Sequence, residues 1–237
     1  MNGNILELGA PPRDASRLEK RPLLQAGYLH EIHARRDDWA AASAFALSSI
    51  ARDRAGTILS LRIAEQGGFR ALPYGDGLAG LGIEPGRLVI VQATNALELL
   101  RAGLESARCP GIAGVLLETW GRFAEYDLTA SRRLSLAAER SQLPVLLLRG
   151  EADQRPSSAQ TRWEIVSAPS IAWSGQAPGM PVIEAELLRQ RGGPAGIRWR
   201  LEWDAEHGGF RETAMLGTVV PLPFLRTGEE GGRSRAA

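Results

Sequence analysis

The sequence predicts an α/β fold: a parallel sheet flanked by helices and extended on its C-terminal side by antiparallel strands. Two observations carry this reading. Up to about residue 150, short and continuously apolar runs alternate with amphipathic helical segments, the pattern of strands buried on both faces. From about residue 160 the helices stop and a two-residue alternation takes over, the pattern of half-buried antiparallel strands.

Each element follows from local pattern. Tyr28-Leu29-His30-Glu31-Ile32-His33 is the first strand candidate. Asp37 or Asp38 is placed to cap the next helix, where Trp39, Ala42, Ala46 and Ile50 recur at helical spacing. Gly56 ends it, and Thr57-Ile58-Leu59-Ser60-Leu61 reads as a buried strand. Arg87-Leu88-Val89-Ile90-Val91 is the next strand; Asn95 then caps a helix with Leu97, Leu100 and Leu104 on one face. Ile112 to Leu117 is a third buried strand. Asp127 or Thr129 starts a helix that turns Ala130, Leu134, Ala137 and Ala138 inward and Arg132, Arg133 and Arg140 mostly outward. Pro144 to Leu148 supplies the fourth strand. Thr161 to Ser167, Val182 to Arg189 and Ile197 to Trp203 are the antiparallel strands, with a hairpin turn at Gly192-Gly193-Pro194. In the last strand Ile197, Trp199, Leu201 and Trp203 share one face, and Arg198, Arg200, Glu202 and Asp204 the other. Residues 1–27, with Pro11, Pro12 and Pro22, read as a loosely ordered lead-in. The core is expected over 28–204 with its extension from about 160, and 205–237 as a tail that is largely disordered at its end.

Composition narrows the function classes. With 44% hydrophobic and 23% charged residues, the 237-residue chain is expected to fold around a packed core. A net charge of +1 gives no chain-wide signature of a nucleic-acid binder, although a local basic face remains open. Lys20 is the single lysine, so chemistry that needs a lysine uses Lys20 or is absent. Cys109 stands alone, which leaves no disulfide framework and fits a reduced cytoplasmic setting. No apolar run reaches the ~20 residues of a membrane helix.

Isolated motifs carry little chemistry. Gly75-Asp76-Gly77-Leu78-Ala79-Gly80 matches a dinucleotide fingerprint in letters. However, no strand runs straight into it and the next strand ends without a carboxylate, so it reads as a turn. His30 and His33 lack the four-residue spacing of a helical zinc pair, and His207 is remote in sequence, so no metal cluster is expected. No Gly-x-Ser-x-Gly elbow occurs. Glu118 is more pointed, because the carboxyl ends of parallel strands are where such folds place ligands.

Taken in order, several segments resemble the ImuA family. They are Leu29-His30-Glu31-Ile32, the alanine-rich helix, the strand at 57–61, Leu81-Gly82-Ile83 before Arg87-Leu88-Val89-Ile90-Val91, the strand ending Leu117-Glu118, and Leu128-Thr129-Ala130-Ser131-Arg132-Arg133-Leu134. Thr161-Arg162-Trp163, Leu187 to Gly193 and Trp199-Arg200-Leu201-Glu202-Trp203 continue the resemblance over roughly 28–204. ImuA proteins look like shortened RecA cores. The resemblance therefore implies a RecA-like, degenerate P-loop fold. It also implies an accessory role in damage-induced (SOS) error-prone translesion synthesis, beside an ImuB-like polymerase-fold protein and an error-prone replicative polymerase subunit. RecA is a further candidate partner, and DNA contact is open but not indicated by net charge. No membrane partner is implied.

Set against a RecA-like ATPase, the phosphate loop is degenerate. The turn after the first strand reads Ala34, Arg35, Arg36, Asp37, Asp38, Trp39, without glycine or lysine. A helix N-terminus favours an anion by up to ~2 kcal/mol. A carboxylate ~4 Å from a phosphate charge opposes it by about 4 kcal/mol at an effective dielectric of about 20, and this turn carries Asp37 and Asp38. Glu118 matches the acidic position of the Walker B strand as a relic, and Glu65 falls near the water-activating glutamate. Leu147-Leu148-Arg149-Gly150 lacks a polar sensor residue. The expectation is a non-enzymatic docking protein with no catalytic residues, cofactor or metal. A weak RecA-like ATPase or recombination protein is the alternative, and a SulA-like inhibitor of cell division the second. Arg189, Arg191, Arg198 and Arg200 are the expected exposed basic stripe for partner or DNA contact.

Overall fold

The computed structural model describes residues 24–63 and 72–213. In chain order the strands are β1 (Leu29–Ala34), β2 (Thr57–Ile63), β3 (Leu88–Ala93), β4 (Ile112–Trp120), β5 (Val145–Gly150), β6 (Thr161–Ala168), β7 (Val182–Gln190), β8 (Ile197–Asp204) and β9 (Gly209–Thr213). The helices are α1 (Trp39–Asp53), α2 (Gly75–Gly80), α3 (Ala96–Ser106) and α4 (Leu128–Ser141). The strands form one sheet in the order β3-β2-β4-β5-β1-β6-β7-β8-β9. From β3 to β6 every pairing is parallel, and from β6 to β9 every pairing is antiparallel.

The sequence pattern explains this topology. β4 and β5 lie between helices on both faces, so every residue from Val145 to Gly150 is buried. Leu116, Leu146 and Leu148 face α1 with Ile32, Phe45 and Ile50. Leu117, Val145 and Leu147 face α3 and α4 with Leu99 and Leu134. Gly114 lets α1 approach β4, because a Cβ there would come within 2.8 Å of Ile50 Cγ2. The α1 face continues onto the antiparallel strands. Phe45 packs 6.0 Å from Trp163 and 6.4 Å from Phe210, and Trp163 packs 5.5 Å from Trp199, centroid to centroid. These rings join the extension to the parallel core.

Several local expectations change. Gly75–Gly80 is a short helix, not a turn, with Leu78 pointing into the α1 core. In α3 the inward face is Leu99, Leu100 and Gly103, and Leu97 is 56% exposed. Asn95 does cap α3, accepting from the Glu98 amide at 3.0 Å, and Asp127 caps α4 from Ala130 at 2.7 Å. Neither Asp37 nor Asp38 caps α1 in this way: Asp38 stands at the N-cap position, but its carboxylate accepts from the Ser167 amide of β6 at 2.7 Å. The expected tail contains β9, held to β8 by Trp203 and Phe210, whose rings meet edge-on at 5.3 Å. Residues 1–23, Glu65 and the chain after Thr213 lie outside the described residues.

Trp199 is buried where the extension meets α1, with Trp163 beside it. Truncating a buried aromatic of this size costs about 3–5 kcal/mol, a large share of the stability of a typical domain. Trp199→Ala is therefore expected to lower the urea midpoint sharply or abolish cooperative unfolding. A midpoint unchanged from the parent would mean that the extension does not depend on this packing.

Candidate functional site

The carboxyl ends of β1, β2, β4 and β5 converge where α1 begins, the place at which parallel α/β sheets bind ligands. β1 ends at Ala34, and a single 3-10 turn, Arg36–Asp38, leads directly into α1 at Trp39. So tight a connection leaves no wide loop of backbone amides to surround a phosphate. One amide that does face the site is already used: the Arg36 N–H donates to Glu151 Oε1 at 2.8 Å. A carboxylate of the chain's own β5–β6 connection thus sits on an N–H of the β1–α1 turn.

Aromatic packing fills part of the space beside this turn. Trp120, the last residue of β4, meets Trp39 edge-on at 5.2 Å. The Arg36 guanidinium lies over the Trp120 ring, 5.4 Å from its centroid. The indole lies across Gly150, where any Cβ would come 2.3 Å from Trp120 Cζ3. Glycine at the end of β5 is what lets the ring lie flat there, in place of the expected polar sensor.

Glu118 is buried on β4. Its Oε1 accepts from Ser60 Oγ and, at 2.8 Å, from Arg62 Nη2, both on neighbouring β2. An ion pair neutralises the acid that would otherwise help to hold a cation. An apolar cavity of about 250 Å³ opens beside it, walled by residues that include Trp39, Leu47, Leu78 and Leu81. The sequence placed Glu118 at this end of the strand. It gave no sign of Arg62, because an arginine in a strand is not a motif.

A second polar cluster lies on the opposite face of β1, and the sequence reading missed it. Glu31 is fully buried, accepting from Arg162 Nε at 2.6 Å and from the Tyr126 hydroxyl at 2.7 Å. Burial pushes its pKa up, but hydrogen bonds from Ser157, Tyr126 and Arg162 and the Arg162 charge outweigh this and hold it below the usual range. Burial and the neighbouring Glu31 charge raise Tyr126 well above its ordinary value. Arg149 stacks 5.8 Å from the Tyr126 ring and donates to the Asp153 carbonyl at 3.1 Å. Both strand histidines are structural. His30 bonds Thr161 Oγ1 at 2.7 Å and the Gln25 carbonyl at 2.9 Å, and His33 Nδ1 faces the Ala152 carbonyl at 3.3 Å.

The four arginines expected to form an exposed stripe do not share one surface. Arg200 is buried, bound to Glu184 Oε1 at 3.1 Å and to the Pro169 carbonyl at 2.5 Å. Arg189 donates to the Ser157 and Ala159 carbonyls at 3.1 and 2.5 Å. Arg198 is exposed but paired with Glu186 at 2.8 Å, and Arg191 is exposed at the β7–β8 turn. Alternation misled here because Glu184 and the Pro169 carbonyl take up the Arg200 side chain, while Arg198 on the same face stays exposed. Asp204, Glu206 and His207 come together at the β8–β9 turn, a grouping not expected from sequence. Asp204 accepts the Glu206 and His207 amides at 3.1 and 3.2 Å and pairs with the His207 ring at 2.9 Å, which accounts for the cluster as turn chemistry. Among the described residues no helix is long and apolar enough to cross a membrane.

Comparison with known proteins agrees with the fold. The chain has a RecA-like architecture. It superposes on the crystal structure of the RadB recombinase with a TM-score of 0.54 at 13% sequence identity, covering 80% of this chain and 92% of that one. In sequence it is 36% identical over 155 residues to Protein ImuA of Caulobacter vibrioides, in strain NA1000 / CB15N and in strain ATCC 19089 / CIP 103742 / CB 15. That homology supports the ImuA resemblance read from the sequence. The match covers 59% of this chain and spans 60% of the length of those relatives. No protein-family model matches the chain.

The buried histidines give a pH test. Burial is the main cause that lowers both His30 and His33 from 6.5 to about 4; for His33 the Arg149 charge also lowers it and Glu31 opposes. Folded values lie below the unfolded one, so the unfolded chain binds more protons between them. Stability is therefore expected to hold above pH 6.5, to fall as the pH drops from 6.5 to about 4, and to level off with respect to these groups below that. Urea unfolding of the parent and of a His30→Asn, His33→Asn variant checks this. A slope across that window that the double substitution leaves intact would assign it to other groups.

Proposed function

We propose that this chain is a non-catalytic RecA-like docking protein in DNA-damage-induced, error-prone translesion synthesis. It would act with an ImuB-like polymerase-fold partner and an error-prone polymerase. One observation carries the non-catalytic part. The turn that corresponds to a phosphate loop is engaged by the protein itself, with Glu151 on the Arg36 amide and Trp39, Trp120 and Arg36 packed together beside it. The ion-paired Glu118 supports the same reading. The pathway is carried over from the homology to ImuA and rests on that alone.

Binding a nucleotide here requires removing Glu151 from the Arg36 amide and opening the Trp39–Trp120 contact. Purified protein is therefore expected to show no ATP turnover, with or without single-stranded DNA, and no nucleotide binding by calorimetry. ATP hydrolysis that disappears on Glu118→Gln would overturn this and restore the enzymatic reading.

In cells, deletion is expected to lower the damage-induced mutation frequency and leave undamaged growth near normal. Glu118→Gln, which keeps an acceptor for Ser60 and Arg62, is expected to restore that frequency. Alanine at this position is a poorer probe because it leaves Arg62 buried without its carboxylate. A deletion strain with unchanged induced mutagenesis would refute the pathway. A strain that instead failed to arrest division after damage would point to a cell-division inhibitor.

A further inference from the structure

The outer surface of α3 and α4 carries a groove of about 470 Å³, remote from the phosphate-loop turn. Leu104 and Ala107 from α3 and its following turn, with Leu136 from α4, line it alongside Arg108, Arg133 and Arg140. In α4, Arg133, Leu136 and Arg140 recur at the three- and four-residue spacing that puts them on one outward face. Helices in parallel βαβ units run against their strands, so the C-terminal ends of α3 and α4 lie at the amino edge of the sheet. The groove is thus at the opposite edge from the relic phosphate site.

Among the described residues, two of its three arginines are without a paired carboxylate. Glu105 pairs with Arg108 at 2.9 Å, and among the described residues neither Arg133 nor Arg140 meets a carboxylate. Arg140 lies in the last turn of α4, where the helix dipole favours a cation, but Arg133 is well inside the helix and has no such account. Leu136 is 40% exposed between the two arginines. Nucleic-acid phosphates would use the guanidinium groups and leave the leucines unused. A peptide with carboxylates on either side of a large apolar side chain would use both.

We propose that the α3–α4 groove binds a short acidic segment of a partner protein, with one apolar side chain seated beside Leu136 and carboxylates paired to Arg133 and Arg140. This rests on the docking reading above and names the chemistry of the docked partner. Guanidinium–carboxylate pairs fix register and orientation, and the apolar contact supplies area that excludes water.

The chain offers its own reporter. Cys109 is its single cysteine, is exposed, and adjoins Arg108. Short random peptides displayed on phage are selected against the full chain, and the selected peptides are titrated against protein carrying a fluorophore on Cys109. The expected consensus is rich in Asp and Glu around a Leu, Phe or Trp. The expected affinity loss is about tenfold or more for R133E/R140E and about severalfold for L136S, with both variants unfolding cooperatively and R133E/R140E at a slightly lower temperature because a carboxylate replaces the cation in the last turn of α4. A selection without acidic bias, or affinity unchanged in R133E/R140E, overturns the proposal. So does an oligo-dT strand that displaces the peptide and binds L136S as well as the parent, because that makes the groove a phosphate site. The two readings fail separately. If deletion leaves induced mutagenesis intact while acidic peptides still need Arg133 and Arg140, the pathway falls and the groove stands. If deletion lowers mutagenesis and R133E/R140E restores it fully, docking stands and this groove is not its surface.

Discussion

The pairing of Glu31 with Arg162 is the interaction on which the architecture turns. β1 lies between β5 and β6, and Glu31 is the direct register partner of Arg162 on β6. At this seam the parallel core meets the first strand of the antiparallel extension. A carboxylate fully removed from water is tolerated only where it is paired and hydrogen-bonded. Arg162, Tyr126 and Ser157 meet that condition, and they come from β6 and from the connections after β4 and β5. Glu31 is therefore satisfied only when these segments are all in place. Removing one partner would leave a buried charge, typically a loss of about 3–5 kcal/mol. The polar seam specifies which strand lies beside β1, which apolar packing alone leaves less defined.

Arg149 adds a second cation to this seam, beside Tyr126 and near Arg162, and its burial lowers its pKa. Burial first, and then the Arg149 and Arg162 charges, oppose protonation of His33, while Glu31 favours it. The two ends of the β1 neighbourhood thus use charge differently. On the α4 face, buried cations hold an internal anion. On the α1 face, the Arg36 amide takes the Glu151 carboxylate and an arginine rests on an indole. Only the second lies at the carboxyl end of β1, where α1 begins; the first is internal to the seam with β6.

Most of the sheet was legible in the sequence because burial on both faces leaves a strong signal. Val145 to Leu148 and Ile112 to Leu117 read as strands for the same reason that they are buried. Asn95 and Asp127 were legible as caps because their side chains act locally. Asp38 was not, because its carboxylate is captured by Ser167, far away in sequence. Leu97 and Arg200 failed for related reasons. Periodicity gives a face but not its partner: α3 buries Leu99 instead of Leu97, and Glu184 and the Pro169 carbonyl take up Arg200. At the site, the missing glycine and lysine were legible. The Trp39–Trp120 contact and the Arg62–Glu118 pair were not, since each joins elements that only the fold brings together.

A fold of this kind does not need a phosphate loop to hold together, and the reason is physical. The free energy of the sheet comes from apolar area buried on both faces, about 25 cal/mol per Å², and none of the core residues in β4 or β5 depends on a ligand. What an empty phosphate site would cost is local: unsatisfied amides, a void at the end of α1, and a buried acid without its cation. The amide and the acid each have an internal substitute here, and the void is filled in part. Glu151 takes the Arg36 amide, Trp120 lies across Gly150, and Arg62 neutralises Glu118. These contacts offset local costs while the apolar cavity beside Glu118 stays open, so the sheet keeps its packing whether or not anything binds at its carboxyl end.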